Sequence, residues 1–394
     1  MKTKFVKSLV VSTVLLALTS GVQLASAEEQ PPIKIGFMLP YTGTYASIGT
    51  TITNAFKLYV NENGGKLGGR AVEYVSVDDE SDPAKATENA NRLVKREKVD
   101  VMVGTVHSGV ALAMGRVAKE NKTLLIIPNA GASELTGSQC SPNIFRTSFS
   151  NSQPGYAMGL YAAKKGYKKV VTLTWKYSAG IESTDGFKDA FTKNGGTIVK
   201  EMTLPFPNTE FQPFLTEIAA IKPDAVYVFF AGGGAAKFMK DYAAAGLKTS
   251  VPLLGPGFLT DGTIEAAGTG GAPEGLLTSL HYADGMKNAK NDAFRTNYAK
   301  TFKSQPDVYA VQGYDAAQLL GAGLKAVKGD TKNQAALIKA MESAKIDSPR
   351  GPFAIGKSHN PIQDFYLRKV VGRDNVYVET IVKGLADPAV GCSM

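Results

Sequence analysis

The sequence predicts an α/β protein of two similar lobes with a cleft between them. Three observations carry this. Short apolar strand runs alternate with helical periodicity, which argues for parallel sheets covered on both faces. One pattern occurs twice: strand, Tyr-bearing loop, helix with Ala-Phe, Asn-Gly-Gly, strand. It reads "IGFMLPYTGTYASIG…AFKLYVNENGGKLGGRAVEYVSV" first and "VVTLTWKYSAG…DAFTKNGGTIVKEMTL" later. Finally, residues 28–394, the 367 expected to make up the mature chain, are enough for two domains, each with its own core.

The chain opens on a leader. Lys2, Lys4 and Lys7 precede the apolar "SLVVSTVLLALTSGV", and "ASA" at 25–27 offers small residues for cleavage before Glu28. The stretch is short and broken by Ser and Thr, so it reads as a signal peptide rather than a membrane anchor. No Cys lies near the cleavage site, so the expectation is a soluble periplasmic protein without a lipid anchor. Nothing later is apolar enough for long enough to span a bilayer. The formal charge is +9, and +6 without the leader. The lysines are spread along helical faces, with no cluster of nucleic-acid type. A modest positive field favours anionic ligands.

Strands are expected at 33–39, 72–77, 99–104, 123–127, 169–175, 197–204, 224–230 and 274–280. Helices fill the gaps near 50–63, 84–97, 109–121, 154–165, 182–194, 211–221, 235–245, 290–303, 314–327 and 333–343. Gly residues mark several helix ends, as in "NGG" at 63–65 and 194–196. The acidic "DDESDP" at 78–83 is no calcium loop, since the twelfth position is Asn89 and not Glu. It reads as a polar loop and helix cap.

In doubly wound sheets ligands sit beyond the carboxyl ends of strands. Four loops there are rich in small or hydroxyl residues: "PYTGTYASIG" (40–49), "TVHSGVA" (105–111), "PNAGAS" (128–133) and "WKYSAGIES" (175–183). The third is notable because it follows the buried strand "TLLII" at once. Small residues there either make a tight turn or leave a hole that something fills. Ser108 stands where a helix begins, as an N-cap or as a donor to a ligand carboxylate. A Ser108–His107 nucleophile is discounted, because adjacent residues rarely face each other and no acid orients the imidazole. "AGGG" at 231–234 lacks the Gly-Lys-Ser/Thr ending of a phosphate loop and reads as close helix packing or room for a bulky ligand. Tyr45, Tyr177 and Tyr309 lie in or beside loops, where each fits a packing role or a pocket wall equally well. Cys140 and Cys392 are the only cysteines. In an exported chain an even count favours a disulfide over two free thiols. No metal-ligand spacing is present.

These loops together resemble a family. "IGFMLPYTGTYASIG", "NENGGKLGGR", "VDDESDP", "VGTVHSGVA", "IIPNAGASELTG", "YSAG", "AAAGLK" before "LLGPG", and "YAVQGYDAAQLL" follow the order of the substrate-binding proteins of branched-chain amino acid-type ABC transporters, which are type I periplasmic binding proteins. The resemblance spans nearly the whole mature chain. It implies two Rossmann-like lobes joined by three crossovers, with residues 28–147 and 281–350 in the first, 148–280 and 351–385 in the second, and a tail at 386–394. It implies ligand capture without chemistry, hence no enzyme and no cofactor. Ser108 and the backbone of Asn129, Ala130 and Gly131 would hold a carboxylate on the first lobe, with Tyr45 and Ala46 lining its wall and His107 among the ligand-binding residues. Tyr177 would close from the second lobe, and Tyr309 would pack on the ligand's body. Amino-acid binders of the family place an acid in the loop after "LLGP". Here that position is Gly257, followed by Phe258, and bulk near 231–232 is lost to Ala231 and Gly232.

The expected function is therefore periplasmic capture of a small organic anion, an aromatic carboxylate above all, for an ABC importer. A branched-chain or other amino acid is the alternative ligand, and a sensor that presents its ligand to a receptor is the alternative role. The expected partners are that ligand and a membrane permease, with no nucleic acid, and the protein is expected to be a monomer.

Overall fold

The structure, a computed structural model, describes Met1, Thr3, Phe5 and residues 30–394. The expected signal peptide thus lies almost wholly outside the described residues. Met1–Gln30 form one unit and Pro31–Met394 another. Every strand and helix among the described residues belongs to the second unit.

Its first half runs β1 (Ile33–Leu39), α1 (Ala46–Glu62), β2 (Lys66–Leu67), β3 (Arg70–Asp78), α2 (Pro83–Asn91), β4 (Val101–Val103), α3 (Ser108–Asn121), β5 (Leu124–Ile127) and β6 (Ile144–Arg146). The strands make a six-stranded sheet in the order β2-β3-β1-β4-β5-β6. All pairings but β2–β3 are parallel. β1, β4 and β5 are near-continuous apolar runs and are buried on both faces, as a helix-covered parallel sheet demands. The acidic run caps a helix as expected: Asp82 accepts from the Ala84 N–H at 2.9 Å, and Pro83 takes the first turn.

The second half runs α4 (Ser152–Lys165), β7 (Lys169–Trp175), α5 (Ser178–Lys193), β8 (Thr197–Leu204), α6 (Gln212–Ile221), β9 (Ala225–Phe229), α7 (Gly232–Ala244), β10 (Leu253–Pro256), α8 (Ile264–Ala267) and β11 (Leu277–Leu280). The chain then returns to the first layer with α9 (Ala289–Phe302), α10 (Val308–Ala326) and α11 (Gln334–Glu342). α10 packs along α1. A Cβ on Gly313 would stand 2.3 Å from the Ile52 carbonyl, so glycine sets how closely those two helices approach. The chain ends in the second layer with β12 (Ala354–Ile355), β13 (Pro361–Val371) and β14 (Asp374–Leu385). That sheet has the order β12-β13-β11-β10-β9-β7-β8, with β14 beside β13. The chain therefore passes between layers three times: after β6, after β11 and before β12. The result is the two-lobed α/β architecture expected from the repeated pattern.

The parallel reading needs one extension. β13 pairs antiparallel with β11, β12 and β14. This hairpin turns on Gly372, at φ +61°, and Arg373. "AGGG" does serve close packing. A Cβ on Gly234 would lie 2.4 Å from the Trp175 ring, against which α7 rests.

Cys140 and Cys392 form a disulfide, with Cα atoms 5.6 Å apart. It pins the tail, together with a buried ion pair between Asp387 and Arg146 at 3.3 Å. The carbonyl of Leu385 accepts from Gln153 Nε2 at 3.0 Å, where the tail leaves the second sheet.

Candidate functional site

The loops leaving β1, β5, β7 and β10 converge, as their placement at strand carboxyl ends requires. Tyr45 closes a short turn before α1, and Tyr177 precedes α5. Asn129 and Gly131 follow β5, Phe258 follows β10, and Tyr309 comes from the first turn of α10. These six residues line one cavity between the two layers. It measures only about 20 Å³ for the centre of a water-sized sphere, room for about one water. A larger crevice, about 720 Å³, is lined by Asp284, Asp307 and Asn375 among others and holds none of the four small-residue loops.

The small residues after "TLLII" have a steric reason. A Cβ on Gly131 would stand 2.4 Å from Asn151 Oδ1 and 2.8 Å from the Phe149 ring. The Gly131 carbonyl accepts from the Asn151 N–H at 2.9 Å, and Asn151 Nδ2 reaches Ser108 Oγ at 3.1 Å. The hole left by small residues is therefore filled partly by Asn151 and opens partly on the cavity. Asn129 is held by its Nδ2, which donates to Gln312 Oε1 at 2.8 Å.

Six of the thirteen residues that line the cavity are aromatic. Phe149 and Phe258 meet at 4.7 Å between centroids, and Phe258 stacks toward Tyr309 at 6.3 Å. Tyr177 stacks on His107 at 4.6 Å. Burial pushes the His107 imidazole down to about 4, so the ring is neutral at pH 7. Its Nδ1 accepts from the Gly109 N–H at 3.1 Å. His107, not Ser108, is thus the N-cap of α3, which corrects that reading; Ser108 is the first helical residue and accepts from Asn151. With His107 turned to Gly109 and Tyr177, nothing among the described residues activates the Ser108 hydroxyl.

Among the described residues, no acidic side chain lines the cavity. The acid nearest in sequence to Gly257 is Asp261, and it is spent on Arg368, 2.7 Å away. A Cβ on Gly257 would lie 2.4 Å from that guanidinium. Glycine therefore lets Arg368 into space that a side chain would take. Glu182, from α5, crosses to the other layer: its Oε2 accepts from the Ser133 N–H at 3.0 Å, Ser133 Oγ at 2.6 Å and Asn151 Nδ2 at 3.1 Å.

Of the expected site residues, Tyr45, Asn129, Gly131, Tyr177, Phe258 and Tyr309 reach the cavity. Ala46, His107, Ser108, Ala130 and Gly257 are not among its lining residues. The Ala130 N–H donates to the Thr105 carbonyl at 2.9 Å. Sequence reasoning missed Phe149, Asn151, Phe229, Glu182 and Arg368. Phe149 and Asn151 sit just past β6, a three-residue strand that gives no periodic signal.

Two α/β layers that pinch an aromatic cavity between the carboxyl ends of their strands define a two-lobed binding protein. The chain belongs to the periplasmic binding protein family, whose sequence profile matches residues 32–375. A Leu/Ile/Val-binding protein homologue of Brucella abortus is 30% identical, over 89% of this chain and 90% of that protein. Among solved structures, an ABC transporter solute-binding protein from R. palustris, in complex with benzoate, is 52% identical. It has a TM-score of 0.90 and covers 92% of this chain and 100% of its own. A second, from Rhodopseudomonas palustris BisB5 in complex with 3,4-dihydroxybenzoic acid, is 36% identical. Its TM-score is 0.85, over 91% of this chain and 99% of its own.

Proposed function

We propose that this chain is the solute-binding component of an ABC importer and captures an aromatic carboxylate between its lobes. The observation that carries this is the cavity. Its described lining has six aromatic rings, three of them tyrosines, the amide-bearing Asn129 and Asn151, and no acidic side chain. An aromatic acid needs flat apolar walls and neutral donors. An amino acid also needs a partner for its ammonium, and an unpaired buried charge costs several kcal/mol. The acid placed near Gly257 is already neutralised by Arg368. The 52% identity to a benzoate-bound solute-binding protein supports the same reading.

In this reading the carboxylate sits by Ser108 and the 129–131 loop, and the ring lies among Tyr45, Tyr177, Phe258 and Tyr309. Closure shifts the population toward a form that docks on the permease, with the three chain crossings as hinge. The protein acts in the periplasm as a monomer and does no chemistry on its ligand. Titration calorimetry with benzoate and leucine tests this. Heat from benzoate and none from leucine is the expected result; tight leucine binding with no benzoate signal would return the amino-acid reading.

A further inference from the structure

Three tyrosines line the cavity, and their hydroxyls are not equivalent. Those of Tyr45 and Tyr177 satisfy each other at 2.7 Å. Tyr309 lines the same cavity, and its buried hydroxyl has no hydrogen-bond partner among the described residues. Tyr309 is only 1% exposed, so bulk solvent does not satisfy it. Its ring is held in place. Phe258 stacks on it, and a Cβ on Gly262 would come within 3.7 Å of its edge. The helix that carries it is fixed by its cap: Asp307 Oδ1 accepts from the Ala310 N–H at 3.1 Å. A buried donor of this kind, fixed and unpaired at a cavity wall, selects for a ligand that pairs with it.

We propose that the Tyr309 hydroxyl reads a hydroxyl group on the ligand's ring, so that the chain prefers hydroxylated aromatic carboxylates to benzoate. This rests on the aromatic-carboxylate reading above. The charges around Tyr309 narrow the choice of group. Burial, then the carboxyls of Asp261 and Asp307, hold the Tyr309 hydroxyl protonated, with Arg368 opposing them. A second carboxylate on the ligand would face those two acids. A ring hydroxyl carries no charge and accepts from Tyr309 while keeping a proton to donate. A site built to bond a substrate hydroxyl discriminates strongly against the analogue that lacks it.

The test is calorimetry of the wild type and Tyr309→Phe with benzoate, 3-hydroxybenzoate and 4-hydroxybenzoate. The wild type should bind one hydroxybenzoate at least about tenfold more tightly than benzoate. Tyr309→Phe, checked by its melting temperature, should lose that preference and bind benzoate and the hydroxybenzoates within about threefold of one another. Wild-type protein that binds benzoate as tightly as both hydroxybenzoates overturns the proposal. So does a Tyr309→Phe variant that keeps the preference. Wild-type protein that binds none of the three overturns the aromatic-carboxylate reading itself.

Discussion

The hydroxyls of Tyr45 and Tyr177, which belong to opposite layers and stand 132 positions apart in sequence, meet at 2.7 Å. Both rings also pack on Phe206, at 5.4 and 5.2 Å. This pair closes one side of a cavity too small for an aromatic ring as it stands. A ring enters only if the layers part, so this contact must break and re-form around the ligand.

Tyr177 should therefore matter through its ring more than its hydroxyl. Tyr177→Phe should change ligand affinity by less than about threefold, the scale of one neutral hydrogen bond. Tyr177→Ala should weaken binding by about tenfold or more, chiefly through faster release. Stopped-flow dissociation rates check both. Equal rates for the alanine variant and wild type would reduce Tyr177 to a packing residue.

Glu182 should act as a latch. Its three hydrogen bonds reach Ser133 and Asn151, and Ser133 belongs to the opposite layer. Bonds to a charged group contribute about 1.5–3 kcal/mol each when buried, less here because Glu182 is only half-buried. Glu182→Ala should cost roughly tenfold in affinity and leave the ligand-free melting temperature within a few degrees. An unchanged affinity would mean that closure does not use this contact.

Asp79 gives a pH signature. Burial pushes its carboxyl up to about 6, although Thr105 Oγ1 and the Ser81 N–H both donate to it. The folded state thus holds a proton that the unfolded chain, with a carboxyl near about 3.9, releases. That contribution is complete below about pH 4 and is lost as pH rises through about 6. Asp79→Asn keeps the shape without the titration. The melting temperature of the variant minus that of wild type should therefore rise between about pH 5 and about pH 7.5. A constant difference across that range would refute the shift.

The disulfide should be complete in periplasmic material. Peptide mapping is expected to yield one Cys140–Cys392 linked pair, and alkylation without reduction should label neither residue. The chain-entropy model gives about 5 kcal/mol as an upper figure for so long a loop. Cys392→Ser should accordingly lower the melting temperature by several degrees. Two thiols that alkylate in the folded, unreduced protein would refute the bridge.

The layers are legible in the sequence because parallel strands such as Ile33–Leu39 are apolar throughout and several of their helices end on glycine. The hairpin of β13 and β14 is not, since "QDFYLRKVV" and "DNVYVETIV" mix charges with apolar residues on strands that are half-exposed. The site is legible where a loop follows a clear strand, as at Asn129 and Tyr177. Arg368 is invisible because it is remote from Gly257 in sequence and meets it only in space; nothing local marks an arginine in so polar a strand as fully buried. The cap of α3 misleads because imidazole is an uncommon N-cap, yet Nδ1 of His107 accepts as the Ser108 hydroxyl would.

The tail changes the mechanics of the molecule. Beyond Leu385 it leaves the second sheet, and it ends covalently on Cys140, in the loop before β6 of the first. Arg146 ties Asp387 of this tail to Asn360, which lies between β12 and β13, just past the third crossing. The two halves are thus coupled like plates on three hinge straps with a fourth that becomes a closed ring only when oxidised. The angle through which the plates swing should then depend on the redox state of the surroundings. Small-angle scattering of the ligand-free protein should show a larger radius of gyration after mild reduction, as the fourth strap lets go.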